Sequence, residues 1–210
     1  MKKFLKHVIG IDVAQDDLVV CLGQLGEALV PAIYGNTAFS NTAKGFSELV
    51  SWVKKKGSVG RFVMEATGVY HEDLAYYLTG NGYEVSIVLP NKISNYFRTL
   101  DIKTITDETA AEAITLFGLS RHLDTWTPPK ESYRMLRQII RERDQILQSR
   151  TAAKNQLHAE NAGAYPHKSS VKRTQKLIAF LDKQEQEINQ EIKELVQNDP
   201  EIKKTLKVLC

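Results

Sequence analysis

Up to about Leu119 the chain alternates short apolar, β-branched runs with stretches whose apolar residues recur every three or four positions. KHVIGIDV and DLVVCLGQ read as strands separated by a tight turn at AQD, and LVPAIYGN predicts a third strand beside them. TAKGFSELVSWVKKKG puts Phe46, Leu49, Val50 and Val53 on one helical face and stops at Gly57. GRFVMEATG predicts a fourth strand, YHEDLAYYLTGNG a helix closed by glycines, and YEVSIVLP a fifth strand ended by Pro90. NKISNYFRTL and TDETAAEAITLFGLSR predict two more helices.

Three strands in succession suit an antiparallel meander, and the helical crossovers that follow imply parallel pairing. The fold class expected is α/β: a ribonuclease H-like (RuvC-like) mixed sheet with flanking helices, although element order alone fits several α/β folds. After TWTPPK the character changes. From Glu131 to about Ala162 there is no proline or glycine. Leu136, Ile140 and Leu147 recur there at near-heptad spacing, with Arg143 and Arg150 interrupting the stripe. NAGAYPHKSS predicts a turn, and a second long helix follows with Leu177, Leu181, Ile188, Ile192 and Leu195 along one side. Together they predict an antiparallel helical hairpin or coiled-coil arm. So narrow a stripe buries little within one chain, so a partner helix from another subunit, and hence a homo-oligomer, is expected. NDPEIKKTLKVLC opens a further helix with Asp199 as N-cap and Pro200 at its first position. The expected domains are 1–127 (RuvC-like), 128–198 (helical arm) and 199–210, the start of a truncated C-terminal domain.

Composition narrows the function classes. Hydrophobic residues at 42% and charged residues at 25% are ordinary for a globular protein. No apolar run approaches the roughly 20 residues that a bilayer span needs. MKKFLKHVIGID opens like a signal peptide but runs into a strand containing Asp12 with no cleavage site, so a cytoplasmic protein is expected. Cys21 and Cys210 offer no disulfide framework, and five scattered histidines give no zinc spacing. Net charge is only +3, and the basic surplus lies largely between Lys130 and Lys176.

Three acidic residues stand where chemistry would need them. Asp12 lies between Ile11 and Val13 in an apolar strand, and Glu65 ends the run FVM. A buried carboxylate is costly without a partner. Asp107 opens a helix, a place that favours carboxylates for electrostatic reasons alone, though Thr106 could cap equally well. As a set they match the acidic cluster of a two-metal nuclease, since Mg²⁺ (or Mn²⁺) takes oxygen ligands. Two such ions about 4 Å apart can activate the attacking oxygen and stabilise the leaving one. A helix supplying two ligands must place them three or four residues apart. Counting from Asp107 reaches Ala110 and Ala111.

The chain resembles the transposases of the insertion-sequence one-ten family, relatives of the Piv/MooV DNA invertases. The resemblance rests on GIDVAQ, on EATGVYHEDLAYYLTGNGYEVSIVLP, and on ITDETAAEA, where family members show K-T-D-x-x-D-A with lysine at the place of Ile105. Pro90, Lys92 and Phe97 ahead of that motif fit as well, and the match extends over the arm. It implies a DEDD tetrad whose members fall on Asp12, Glu65 and Asp107, with the fourth position occupied by Ala110. Glu108 and Glu112 are misplaced to replace it. An alanine there is what an experimenter introduces to block cleavage, natural decay being the alternative, and impaired catalysis is expected either way. The family's C-terminal domain, with its attacking serine, has no counterpart in the sequence.

The resemblance also implies Mg²⁺-dependent DNA strand cleavage and exchange guided by a structured bridge RNA. Lys130, Arg134, Arg137, Arg141, Lys154, Lys172 and Arg173 on the arm are the expected nucleic-acid contacts, with Arg143, Arg150, Lys168 and Lys176 nearby. Two competing readings are a non-catalytic nucleic-acid-binding or oligomerisation module and an actin-like phosphotransferase. The latter needs a glycine-rich phosphate loop after the first strand, where DVAQDD has no glycine.

Overall fold

Alternation along VIGIDV splits the first strand into two chemical faces, and the whole domain is layered on that split. In the computed structural model, which describes residues 4–57, 60–66, 68–100, 106–200 and 202–203, the chain divides into two compact units, 1–128 and 129–210. In the first unit, β1 (Phe4–Val13), β2 (Asp17–Gly26) and β3 (Pro31–Ser40) form an antiparallel meander. β4 (Arg61–Glu65) and β5 (Val85–Val88) add in parallel on the other side of β1, giving the order β3-β2-β1-β4-β5. This mixed order, with two parallel crossovers after a meander, is the ribonuclease H-like arrangement expected.

One sheet face carries Ile9, Ile11, Val13, Phe62 and Met64 against Phe46, Leu49, Val53, Leu74 and Leu78 of α1 (Ala43–Lys55) and α2 (Glu72–Gly80). The opposite face carries Val8, Val63 and Val88 against α3 (Pro90–Phe97) and α4 (Asp107–Ser120), through Ile93, Ile114 and Phe117. The predicted helix face Phe46, Leu49, Val50 and Val53 is buried, Thr42 caps that helix through Gly45 N–H, and Gly57 takes φ +67° after it. The third strand runs further than predicted, to Ser40, because Phe39 turns inward onto the Trp52 ring at 5.9 Å.

The second unit holds α5 (Glu131–Ala162) and α6 (Lys168–Asn198) as an antiparallel hairpin. Its seam differs from the one predicted. Leu136, Ile139, Arg143, Ile146, Arg150, Ala153 and Leu157 face Thr174, Ile178, Leu181, Glu185, Ile188, Ile192 and Leu195, a strict alternation of three and four. Ile140 and Leu177, expected in the stripe, lie exposed instead. Arg143 and Arg150 do not interrupt the seam but belong to it. Arg143 Nε donates to Asn189 Oδ1 at 3.0 Å, and Arg150 pairs with Asp182 at 3.0 Å and with Glu185. Asp199 caps the next turn, as expected, by accepting from Ile202 N–H at 3.2 Å, while 204–210 lie outside the described residues. No described helix is long and apolar enough to cross a membrane.

Candidate carboxylate site

Asp12 shares the face of β1 that also carries Val8 and Gly10, the face covered by α4. In parallel β4 the register pairs Ile11 with Met64, so Asp12 and Glu65 end adjacent strands at the same edge of the sheet. Helix α4 runs back along β1 in the opposite sense. A Cβ at Gly10 would lie 2.6 Å from Thr115 N and 2.8 Å from Ala111 O, and one at Gly118 would lie 2.8 Å from Val8 Cγ1. At the far end Lys6 Nζ donates to the carbonyls of Arg121 and, at 3.5 Å, of Leu119. Only glycine permits this approach, and the Thr115 hydroxyl secures it by donating to Ala111 O at 2.8 Å and to Cys21 O at 3.1 Å.

That alignment carries the first turn of α4 to the Asp12 end. Thr106 caps the helix, accepting from Thr109 N–H while Thr109 Oγ1 accepts from Thr106 N–H at 2.8 Å, so the cap is threonine and Asp107 is free of that duty. Asp107 is exposed at the start of the helix, and Ala110, three residues on, is half-buried. Ala111 and Ile114 are fully buried there. Ala110 and Glu65 line a single cavity of about 570 Å³, together with Ser94, Phe97 and Arg98. Glu108 is exposed. Ile105, in the motif ahead of the helix, lies outside the described residues.

The electrostatics single out Asp12. Burial pushes Asp12 up from its ordinary 3.8 to about 6, and the negative charges of Asp107 and then Glu65 add to the rise against an opposing hydrogen bond from the Val13 backbone. Two loops frame this edge. Asn41 Nδ2 donates to Ala14 O at 2.8 Å and to Tyr70 O at 3.1 Å, tying the β1–β2 turn to the segment before α2, and Tyr70 Oη donates to Gln15 at 3.3 Å.

The donor set, three carboxylates from three elements, is the hard-oxygen chemistry that suits Mg²⁺ or Mn²⁺ and not zinc. A cation would relieve the repulsion that adds to the burial-driven rise of Asp12. Among the described residues, however, no three His, Cys, Asp or Glu side chains already converge as a closed ligand group.

The arm residues Lys130, Arg134, Arg137, Arg141, Lys154, Lys172 and Arg173 are exposed on α5 and α6 or at their ends. Arg143 and Arg150 are drawn into the seam and leave that set. Sequence reasoning passed over Gly10 and Gly23, although an isolated glycine in a strand signals close backbone approach. It also passed over the Asn41 tie, which had no local signal at all.

The DEDD_Tnp_IS110 family profile, described as Transposase, matches residues 9–166. Pilin gene-inverting proteins of Moraxella bovis and Moraxella lacunata are each 29% identical over 153 residues, covering 70% of this chain and 46% of theirs. The chain thus spans about half the length of these curated relatives. Among solved structures, T. thermophilus RuvC in complex with Holliday junction substrate is 11% identical at a TM-score of 0.41, over 52% of this chain and 90% of that one. The fowlpox virus Holliday junction resolvase also scores 0.41 at 11%, over 54% and 97%. Likenesses so faint carry no weight, and the sheet order alone carries the fold. The profile match, running from β1 into the arm, is decisive: the chain belongs to the IS110 family of DEDD transposases.

Proposed function

We propose that this chain is the N-terminal part of an insertion-sequence DNA recombinase whose residues 1–127 cleave DNA strands with Asp12, Glu65 and Asp107 holding Mg²⁺ or Mn²⁺. The observation that supports it best is Asp12 and Glu65 at the same end of adjacent strands, with the Asp12 carboxyl raised mainly by burial and then by the charges of Asp107 and Glu65. Bound divalent ions would supply Lewis-acid stabilisation of the charge that develops on phosphodiester oxygens. The chain's own residues do the rest. Asp12 and Glu65 are fixed by adjacent parallel strands, and Asp107 by a helix locked onto β1, so the three acids keep their spacing as substrate arrives. With alanine at position 110, one leg is lacking and cleavage is impaired.

Residues 128–198 act as the arm. Its exposed basic residues would hold nucleic acid, including a structured bridge RNA. A second copy of the chain would cover apolar side chains such as Met135, Ile140, Leu177 and Phe180, which are 40–58% exposed. A non-catalytic nucleic-acid-binding or assembly module is the second reading, favoured by Ala110 itself. Titration calorimetry with Mn²⁺ separates the two. Tighter binding in Ala110→Asp, lost again when Asp12→Ala is added, is the expected result. If neither substitution changes metal binding, the tetrad reading fails and the assembly role takes its place.

A further inference from the structure

We infer that α3 guides DNA: a strand leaving the cavity beside Glu65 crosses this helix and lays its phosphates in the groove on the other side. The inference rests on the recombinase reading above and adds a path to it.

Helix α3 separates two cavities of about 570 Å³ each. Toward the carboxylates it presents Ser94 and Phe97, and Arg98 follows at its C-cap, in the cavity shared with Glu65 and Ala110. Away from them it presents Lys92 and Asn95, one helical turn apart, with Thr99 just beyond its C-cap. Arg121 and His122, just past the end of α4, form the opposite wall of that second groove, and no carboxylate among the described residues lines it. Among the described residues, Lys92, Arg98 and Arg121 have no ion-pair partner, so their charge is available to a ligand. Two cations with a neighbouring amide and hydroxyl make a phosphate-binding surface without base-reading geometry.

The groove lies one helix away from the cavity that holds Glu65, so one DNA can reach both. A helix with its side chains is roughly 10 Å across, and successive phosphates along a strand advance about 3.4 Å of helix axis. A strand crossing α3 therefore enters the groove about three nucleotides from the position beside Glu65. Arg98 meets the strand on one side of the helix, and Lys92 and Arg121 meet it on the other.

The test is the salt dependence of duplex binding by the 210-residue chain, followed by anisotropy of a fluorescein-labelled DNA without divalent ions. Each lost phosphate contact lowers the log–log slope by about 0.9. The triple variant Lys92→Ala, Arg98→Ala, Arg121→Ala should lower it by about 2.7. Between about 50 and 200 mM salt the unmodified chain then loses about 40-fold more affinity than the variant. The charge-preserving set Lys92→Arg, Arg98→Lys, Arg121→Lys should keep the original slope, which rules out a folding artefact. Should DNA bind with a slope that ignores these residues while Ala110→Asp binds Mn²⁺, the path over α3 is overturned and the recombinase reading stands. Binding of neither metal nor DNA overturns both. A change confined to an RNA hairpin of equal length overturns the assignment to DNA.

Discussion

Replacing Asp12 with asparagine should stabilise the fold while removing a proposed metal ligand. Asparagine keeps the shape and an acceptor for the Val13 backbone but discards the charge that burial, Asp107 and Glu65 all oppose. A rise from 3.8 to about 6 sets a ceiling of about 3 kcal/mol at 1.36 kcal/mol per pH unit. The carboxyl is only half-buried, and solvent screening reduces this to on the order of 1–2 kcal/mol. The sign follows from proton binding. The folded state holds this proton more tightly than the unfolded state, so the penalty is absent below about pH 4, grows as pH rises toward 6, and is complete above it. Urea denaturation in chelator across pH 4–8 should show Asp12→Asn more stable at pH 7.5, with the gap closing toward pH 4. A gap that is constant with pH, or an asparagine variant that is weaker at pH 7.5, would refute the account of a carboxyl raised by burial and by its acidic neighbours. Adding Mn²⁺ to an Ala110→Asp background should reverse the order, since binding stabilises only the chain that keeps its ligand.

Other parts of the structure give further tests. Gly10→Ala pushes a methyl against backbone atoms of Ala111 and Thr115 that cannot yield, so α4 must shift at a cost of about 1–3 kcal/mol, read as a lower denaturation midpoint. In the arm, Arg150→Ala strands Asp182 and Glu185 near the seam and should cost about 1–2 kcal/mol after allowance for partial exposure, whereas Arg150→Leu should recover most of it; helix melting by circular dichroism measures both. Burial pushes the Cys21 thiol up to about 11, with Glu112 adding to the rise against a Thr115 hydrogen bond. In a Cys210→Ser chain, a disulfide reagent at pH 8 should therefore label Cys21 at the rate of unfolding; labelling at the rate of a free thiol would contradict its burial.

The strand alternation was the most legible part of the sequence. Val8, Gly10 and Asp12 against Ile9, Ile11 and Val13 define two faces by their spacing alone, and the clusters divide along that line. The arm was less legible because arginine occupies two seam positions. Apolar residues alone drew the stripe through Ile140 and Leu177, whereas Arg143 and Arg150 mark its true course through Ile139 and Ile178. Local signals also explain what was missed at the carboxylate edge. Asn41 joins Ala14 and Tyr70 across 27 and 29 residues, a contact that no window of sequence can contain. That Arg98 and Ala110 share a cavity with Glu65 required the fold.

The lock between α4 and β1 has a consequence for how the molecule comes into being. The hydrogen bond from Thr115 to Cys21 spans 94 residues, and Lys6 reaches Leu119 across 113. The meander of β1, β2 and β3 closes through short turns, but α4 can dock only after the crossovers have formed, since long loops must be closed before distant contacts stabilise anything. Any repulsion between Asp107 and Asp12 would therefore act when α4 docks, not while the meander forms. An emerging chain would hold Asp12 and Asp107 apart until the sheet is built.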